Sequence, residues 1–222
     1  MIQISRNKRL FNIRDTNKHK DWWVNRYPEW ELATSEFMET HCDRGKITLD
    51  IGAWNGVHSF YMAQISKEVC AIEADPNACI FFEENWMCNP DLANKISLFP
   101  LALSDNSGTV NIMTGGGSGS SILEVIQEGN PKIPTVAVRC VTFKEFLSLS
   151  GIAAEEIGFI KMDIEGAEKF CIPDMEWFLK DYRGAMCLSL HSGFITEAEL
   201  QNIIDIMNRY FKRISTEGWI RS

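Results

Sequence analysis

Ile47-Thr48-Leu49-Asp50-Ile51-Gly52-Ala53-Trp54-Asn55-Gly56, followed at a distance by Ala71-Ile72-Glu73-Ala74-Asp75, is the stretch whose reading decides the fold. A short β-branched and leucine run ends in a small-residue turn with two glycines, and a helix-compatible segment opens directly behind it. The pattern predicts a strand, a loop and a helix built around a ligand. Gly52 and Gly56 carry no Cβ, so the backbone can turn sharply and approach that ligand closely. The spacing Asp-x-Gly-x-x-x-Gly departs from the Gly-x-Gly-x-x-Gly of dinucleotide sites, where a pyrophosphate rests on the helix N-terminus. Asp50 would repel a pyrophosphate but suits an ammonium group.

Glu73 falls where a βαβ nucleotide site places its ribose carboxylate, about 20 residues past the loop at the end of the next strand. A carboxylate there can accept from two ribose hydroxyls. Nucleoside plus ammonium, without phosphates, describes S-adenosylmethionine. That is the expected cofactor.

The chain of 222 residues fits one domain, or one domain with an N-terminal arm, and is long enough to close a substantial core. Its net charge of -8 is uneven. Residues 1–26 hold seven Lys/Arg against two acids, so the rest is more acidic still. An acidic body argues against broad phosphate-backbone binding, and the basic arm reads as a solvated leader. The seven cysteines form no Cys-x-x-Cys pair, and several sit in apolar runs, so reduced thiols and a cytoplasmic location are expected. No apolar stretch follows the basic N-terminus and none is long enough to span a bilayer. Neither a secretion signal nor a membrane anchor is expected.

Residues 1–45 read as an arm and a helix, and residues 46–222 as the ligand-binding domain. Trp22-Trp23 and Tyr27-Pro28-Glu29-Trp30 would either cap the core or line a substrate mouth, and Glu29 to His41 allows an amphipathic helix. A strand-then-helix rhythm follows: strand Ile47–Ile51 with a helix near Val57–Ser66, strand Val69–Glu73 with a helix from Pro76 to about Asn89, and strand Ile96–Leu101. This rhythm predicts a parallel sheet with crossover helices. The segment Ala102-Leu103-Ser104-Asp105 would lie at the same sheet edge, where an adenine could be held. Thr109–Met113 and Thr135–Cys140 read as strands around a glycine-rich loop, Thr114 to Ser121, suited to a lid. Thr142, with Glu145 three residues on, has capping-box spacing for a helix to Ser150. Thr196 begins a last amphipathic helix, and Phe211–Thr216 and Gly218–Ser222 are the final strand candidates.

The second informative stretch is Phe159-Ile160-Lys161-Met162-Asp163-Ile164-Glu165-Gly166-Ala167-Glu168. A mostly apolar strand delivers three carboxylates to its C-terminal end, the edge where open α/β sheets bind ligands. Asp163 is the candidate for the reacting site, while Glu165 and Glu168 could instead cap the following helix. Strand Ala185–Leu190 ends in His191, which could take a proton from a substrate hydroxyl.

Together these residues resemble the FkbM family of S-adenosylmethionine-dependent methyltransferases. The resemblance rests on Leu49 to Gly56, Ile72 to Pro76, Ala102 to Asp105 with Gly108, Ser120-Ser121, and above all Ile160 to Glu168. It implies an α/β class I methyltransferase (Rossmann-like) fold, a mostly parallel central sheet flanked by helices, here with a short N-terminal helical arm. It implies methyl transfer, usually to a hydroxyl of a sugar, glycan or other small molecule. Carried onto this chain, Asp50, Gly52, Ala53, Asn55 and Gly56 would meet the methionine part of the cofactor. Glu73 and Ala74 would meet the ribose, Ala102, Leu103 and Ser104 the adenine side, and Asp163 the reacting methyl. Asp163 or His191 would accept the substrate proton, with a divalent metal at Asp163 as an added option lacking a clear ligand cluster. The family commonly has Leu-Asp at Phe143-Lys144 and a Glu at Ser189, so an inactive cofactor-binding or assembly module is the alternative. An NAD(P) oxidoreductase and a nucleic-acid methyltransferase are disfavoured, because the glycine fingerprint and the Asn/Asp-Pro-Pro-Tyr motif are absent. Homo-oligomerisation stays open.

Overall fold

A computed structural model describes residues 1–16, 18–114 and 135–222. The glycine-rich segment read as a lid lies, after Thr114, outside the described residues. In chain order the elements are β1 (Ile2–Arg6), β2 (Arg9–Ile13), α1 (Lys20–Asn25), α2 (Leu32–His41), β3 (Ile47–Ile51), α3 (Ser59–Met62), β4 (Glu68–Glu73) and α4 (Pro76–Trp86). They continue with α5 (Pro90–Ala93), β5 (Ile96–Pro100), β6 (Ala102–Leu103), β7 (Gly108–Met113), β8 (Thr135–Val141) and α6 (Phe143–Ser150). The last are β9 (Ile157–Met162), α7 (Glu168–Leu179), β10 (Ala185–Leu188), α8 (Glu197–Tyr210), β11 (Phe211–Arg213) and β12 (Gly218–Arg221).

Seven strands form the central sheet in the order β5-β4-β3-β9-β10-β12-β11. The chain winds outward from β3 through β4 to β5, then returns to the other side of β3 at β9. The switch point therefore lies between β3 and β9, where open α/β sheets form their ligand crevice. All the pairings from β5 to β10 are parallel, and β12 runs antiparallel to both β10 and β11. The last strand thus comes from Gly218–Arg221, inserted between β10 and β11. Register aligns Ile51 with both Ile72 and Met162, and Met162 with Leu188. Gly52, Glu73, Asp163 and Ser189 consequently leave the sheet at one level. A smaller sheet, β6-β8-β7, stands beside this edge.

Alternation along the strands separates two apolar layers. Leu49, Ile51, Ile72, Ile160, Met162 and Met186 pack with Phe143 and Phe146 of α6, Ile172 and Met175 of α7, and Ile203 and Met207 of α8. The opposite face, with Val69, Ala71, Phe159 and Cys187, is covered by Phe60, Phe82, Met38, Trp23 and the β1–β2 hairpin. The hairpin corrects the expectation of a solvated basic leader. Ile4, Phe11 and Ile13 are buried, and so is Arg6, whose guanidinium donates to Ser35 Oγ at 2.8 Å and to the Tyr27 carbonyl and lies 3.8 Å over the Tyr27 ring. Residues 1–45 share this layer with the sheet.

Several boundaries also differ. Pro28 sits in a 3-10 turn, Tyr27–Glu29, and Glu31 adopts a left-handed φ of +46°, so the helix expected from Glu29 begins at Leu32. Thr142 caps α6 by accepting from the Glu145 N–H, but no reciprocal bond forms because the Glu145 carboxylate takes Arg139 at 2.9 Å and Ser107 instead. The full capping box occurs at Thr196 and Glu199. Among the described residues no helix is long and apolar enough to cross a membrane.

Candidate active site

The loop after β3 is fastened through its backbone groups to the neighbouring elements. The amides of Gly52 and Ala53 both donate to the Ile72 carbonyl, at 2.9 and 3.0 Å. Gly52 has φ +81°, and a Cβ there would lie 1.8 Å from the Asp163 carbonyl oxygen. Its glycine is therefore demanded by the neighbouring strand end as well as by the turn. Gly56, at φ +88°, is confined by the Phe60 ring, 2.3 Å from where a Cβ would stand.

Beneath the loop a buried ion pair ties β3 to β9. Asp50, fully buried, accepts from Ser59 Oγ at 2.5 Å and stands 3.4 Å from Lys161 Nζ. That ammonium donates to the Gly52 carbonyl at 2.7 Å and reaches Asp163 Oδ2 at 3.7 Å. Burial pulls the Lys161 ammonium down, but Asp50 and Asp163 outweigh it and hold its pKa above the ordinary lysine value. A single buried cation thus links the loop to the candidate reacting carboxylate.

Across the switch point, Glu73 accepts from the Trp54 N–H with Oε2 and from the Asp75 N–H with Oε1, both at 2.7 Å. Burial pushes its carboxyl up to about 7, opposed by those two backbone donors. Each oxygen retains a further lone pair. Glu73 shares a cleft with Gly52, Trp54, Ile72, Ala74, Leu101, Ala102, Leu103, Ile112 and Trp30, and with Lys161, Asp163, Ile164 and Glu165.

Behind Asp163 lies an acidic cluster centred on His191. The imidazole Nδ1 is 3.0 Å from Glu168 Oε1, and Nε2 is 3.2 Å from Asp163 Oδ1 and 3.6 Å from Glu165 Oε2. Partial burial lowers the imidazole pKa, but the Glu168 bond and the charges of Glu168, Asp163 and Glu165 override it and raise it to about 9. The three surrounding carboxylates thus favour the protonated ring, which weighs against the base role expected of His191. Glu168, fully buried, also accepts from the Ile164 and Gly166 amides at 3.0 and 2.8 Å, combining the role of a loop clamp with that of the histidine's partner.

Of the cofactor contacts expected from sequence, Gly52, Glu73, Ala74, Ala102, Leu103 and Asp163 line the cleft. Asp50, Ala53, Asn55, Gly56 and Ser104 do not: all but Gly56 and Ser104 are completely buried, and Asp50 is turned toward Lys161, so it braces the loop rather than meeting an ammonium group. Both amide atoms of the Asn55 side chain are buried without a hydrogen bond among the described residues. Sequence reasoning gave no role to Lys161, although a lysine inside an apolar strand needs a partner when buried. It also left Trp30 undecided. The aromatic-rich segment splits, Trp23 and Tyr27 entering the core while Trp30 stacks on His58 at 5.2 Å and faces the cleft with Trp54.

The cleft's chemistry fits a nucleoside bearing no phosphate: the Glu73 carboxylate, an apolar slot at Leu101–Leu103 and, among the described residues, Lys161 as the one basic side chain in its lining. The profile of the methyltransferase FkbM domain matches residues 50–214. No curated protein sequence matches the chain. Among solved structures, the FkbM methyltransferase of Methylobacillus flagellatus KT is similar with a TM-score of 0.51 at 14% identity, over 94% of this chain and 54% of that one. This chain thus spans about half the length of that protein. A precorrin-6y C5,15-methyltransferase from Geobacter metallireducens GS-15 aligns over 95% of this chain and 92% of its own, at 13% identity and a TM-score of 0.45. At such identities the likeness is one of fold, the class I methyltransferase fold. With the domain profile covering most of its length, the chain belongs to the methyltransferase FkbM domain family.

Proposed function

We propose that this protein transfers a methyl group from S-adenosylmethionine to a hydroxyl of a sugar, glycan or other small molecule. The observation that carries the reading is the pairing of Glu73 with Asp163 across one cleft at the switch point, the first suited to a ribose and the second facing the space beyond it. The cofactor supplies a methyl made reactive by its sulfonium. The protein's work is then alignment and exclusion of water.

Glu73 accepts from the ribose hydroxyls with the lone pairs its two backbone donors leave. Leu101, Leu103 and Ile112 cover the base, and Trp30 and Trp54 close the wall beside the acceptor. Asp163 takes the acceptor's proton as the oxygen bonds to the methyl carbon and the carbon–sulfur pair returns to sulfur. Lys161 fixes the Asp163 carboxylate from beneath. The acidic net charge supports an uncharged acceptor over nucleic acid, and the seven free cysteines support a cytoplasmic setting.

The test is release of S-adenosylhomocysteine on incubation with S-adenosylmethionine and a panel of sugars and other hydroxylated acceptors. Asp163→Ala should lower acceptor-dependent turnover by about 10²–10³-fold while S-adenosylhomocysteine still binds. Undiminished turnover in that variant would remove Asp163 from the chemistry. Cofactor binding with no transfer to any acceptor would favour a binding or assembly module.

A further inference from the structure

Asp163, Glu165 and His191 each offer one ligand atom, and these three atoms all lie within 4.8 Å of one another. Two of the spacings are shorter: His191 Nε2 is 3.2 Å from Asp163 Oδ1 and 3.6 Å from Glu165 Oε2. Ligands about 2.1 Å from an ion on adjacent corners of an octahedron stand about 3 Å apart. The two spacings from His191 are therefore near the separation that a shared cation would impose, and the third lies within 4.8 Å.

A second observation comes from outside the trio. Glu168 is fully buried, is not one of the three, and holds His191 by Nδ1 at 3.0 Å. It is itself fixed by the amides of Ile164 and Gly166. A rigid carboxylate on one imidazole nitrogen turns the other toward the two remaining carboxylates, the arrangement by which metal-ligating histidines are oriented. Lys161 approaches Asp163 through Oδ2, which leaves Oδ1 on the His191 side. Asp163 and Glu165 both line the cleft, so the point where the three converge borders the space left for the acceptor.

The geometry points to a divalent-cation site of the Mg2+ or Mn2+ type, formed by Asp163, Glu165 and His191, that holds an oxygen of the methyl acceptor. Two carboxylates with one imidazole suit such a cation, and three protein ligands leave about three octahedral positions for water and acceptor oxygens. An acceptor with two neighbouring oxygens would fill two of them. An acceptor hydroxyl bound there would give up its proton more readily, which would ease the transfer to Asp163. The purpose of the site rests on the methyl-transfer reading; the binding of the ion does not.

The probe is Mn2+, titrated into the protein at about pH 8, where the ion competes better with the imidazole proton. Free Mn2+ is followed by electron paramagnetic resonance, and S-adenosylhomocysteine binding is measured on the same samples. Wild type should take up one Mn2+, displaceable by Mg2+, with pulsed spectra showing one directly bound imidazole nitrogen. Glu168→Gln should weaken Mn2+ by about ten- to a hundredfold, and His191→Ala by at least as much, with S-adenosylhomocysteine affinity kept. No uptake by a wild type that binds S-adenosylhomocysteine overturns the metal site alone, leaving an ion-pair network. Uptake without nitrogen coupling, or uptake unchanged in folded His191→Ala, also overturns it. If a variant does not fold, the nitrogen coupling in wild type decides. Mn2+ uptake without S-adenosylhomocysteine binding would keep the metal and contradict the methyl-transfer reading.

Discussion

The loop after β3 and the loop after β9 leave the sheet at the same level and touch at Gly52 and Asp163, yet they work by opposite means. The first meets its surroundings through backbone amides, two glycines and a buried aspartate that faces inward. The second brings Asp163, Glu165 and Glu168 around one histidine, the first two at the cleft. A backbone-built loop suits a ligand that never changes, whereas a loop of charged side chains suits chemistry and acceptor choice. Lys161 joins them, and its loss should damage both.

The largest effect is expected there. Lys161→Met leaves Asp50 buried without its counter-charge and should cost about 3–5 kcal/mol in chemical denaturation. Adding Asp50→Asn should recover most of that loss. A Lys161→Met protein as stable as wild type would mean that the two loops are not joined through this ion pair.

Gly52→Ala comes next, at about 3 kcal/mol or more, because a left-handed φ and a clash with the Asp163 carbonyl add. Gly151, at φ +70° with open space around it, is the control, and Gly151→Ala should cost about 1 kcal/mol in the same melt. Equal losses would place the demand for glycine in φ alone and separate the two loops.

The smallest effect concerns pH and the backbone-built side of the cleft. Burial raises the Glu73 carboxyl from 4.5 to about 7, so this group's contribution to the free protein's stability is whole below pH 4.5 and is lost as pH rises through about 7. Ribose hydroxyls donate to the ionised form, so the ligand's stabilisation grows over the upper part of that window. S-adenosylhomocysteine affinity should rise about tenfold between about pH 6 and 8, and calorimetry of Glu73→Gln should show a flat, weaker profile. A pH-dependent Glu73→Gln would assign the titration to another group.

The sheet and its ligand edge were legible in the sequence because their signals are local. Ile47–Ile51 followed by Gly52, and Ile157–Met162 followed by Asp163, carry strand, turn and charge within a few residues. What was hidden depends on distant partners. Asp50 looked like a ligand group at the head of a loop, but it lies beside Lys161, whose ammonium reaches Gly52, 109 residues away in the chain. His191 looked like a base until three carboxylates from the preceding strand's end surrounded it. The β1–β2 hairpin turns at Asn7 and Lys8, both at positive φ, where no glycine announces the turn. Its buried residues alternate with Gln3, Ser5, Leu10 and Asn12, and the basic Arg6, Lys8 and Arg9 gathered at the turn gave the segment the look of a solvated tail.

The central claim is that the cleft between these loops binds S-adenosylmethionine through Glu73. Calorimetric titration of the purified protein with S-adenosylhomocysteine, with NAD as the control ligand and Glu73→Ala alongside, tests it most directly. Saturable binding of S-adenosylhomocysteine but not NAD, lost in a folded Glu73→Ala, is the predicted result; a folded wild-type protein that takes up no S-adenosylhomocysteine would contradict it.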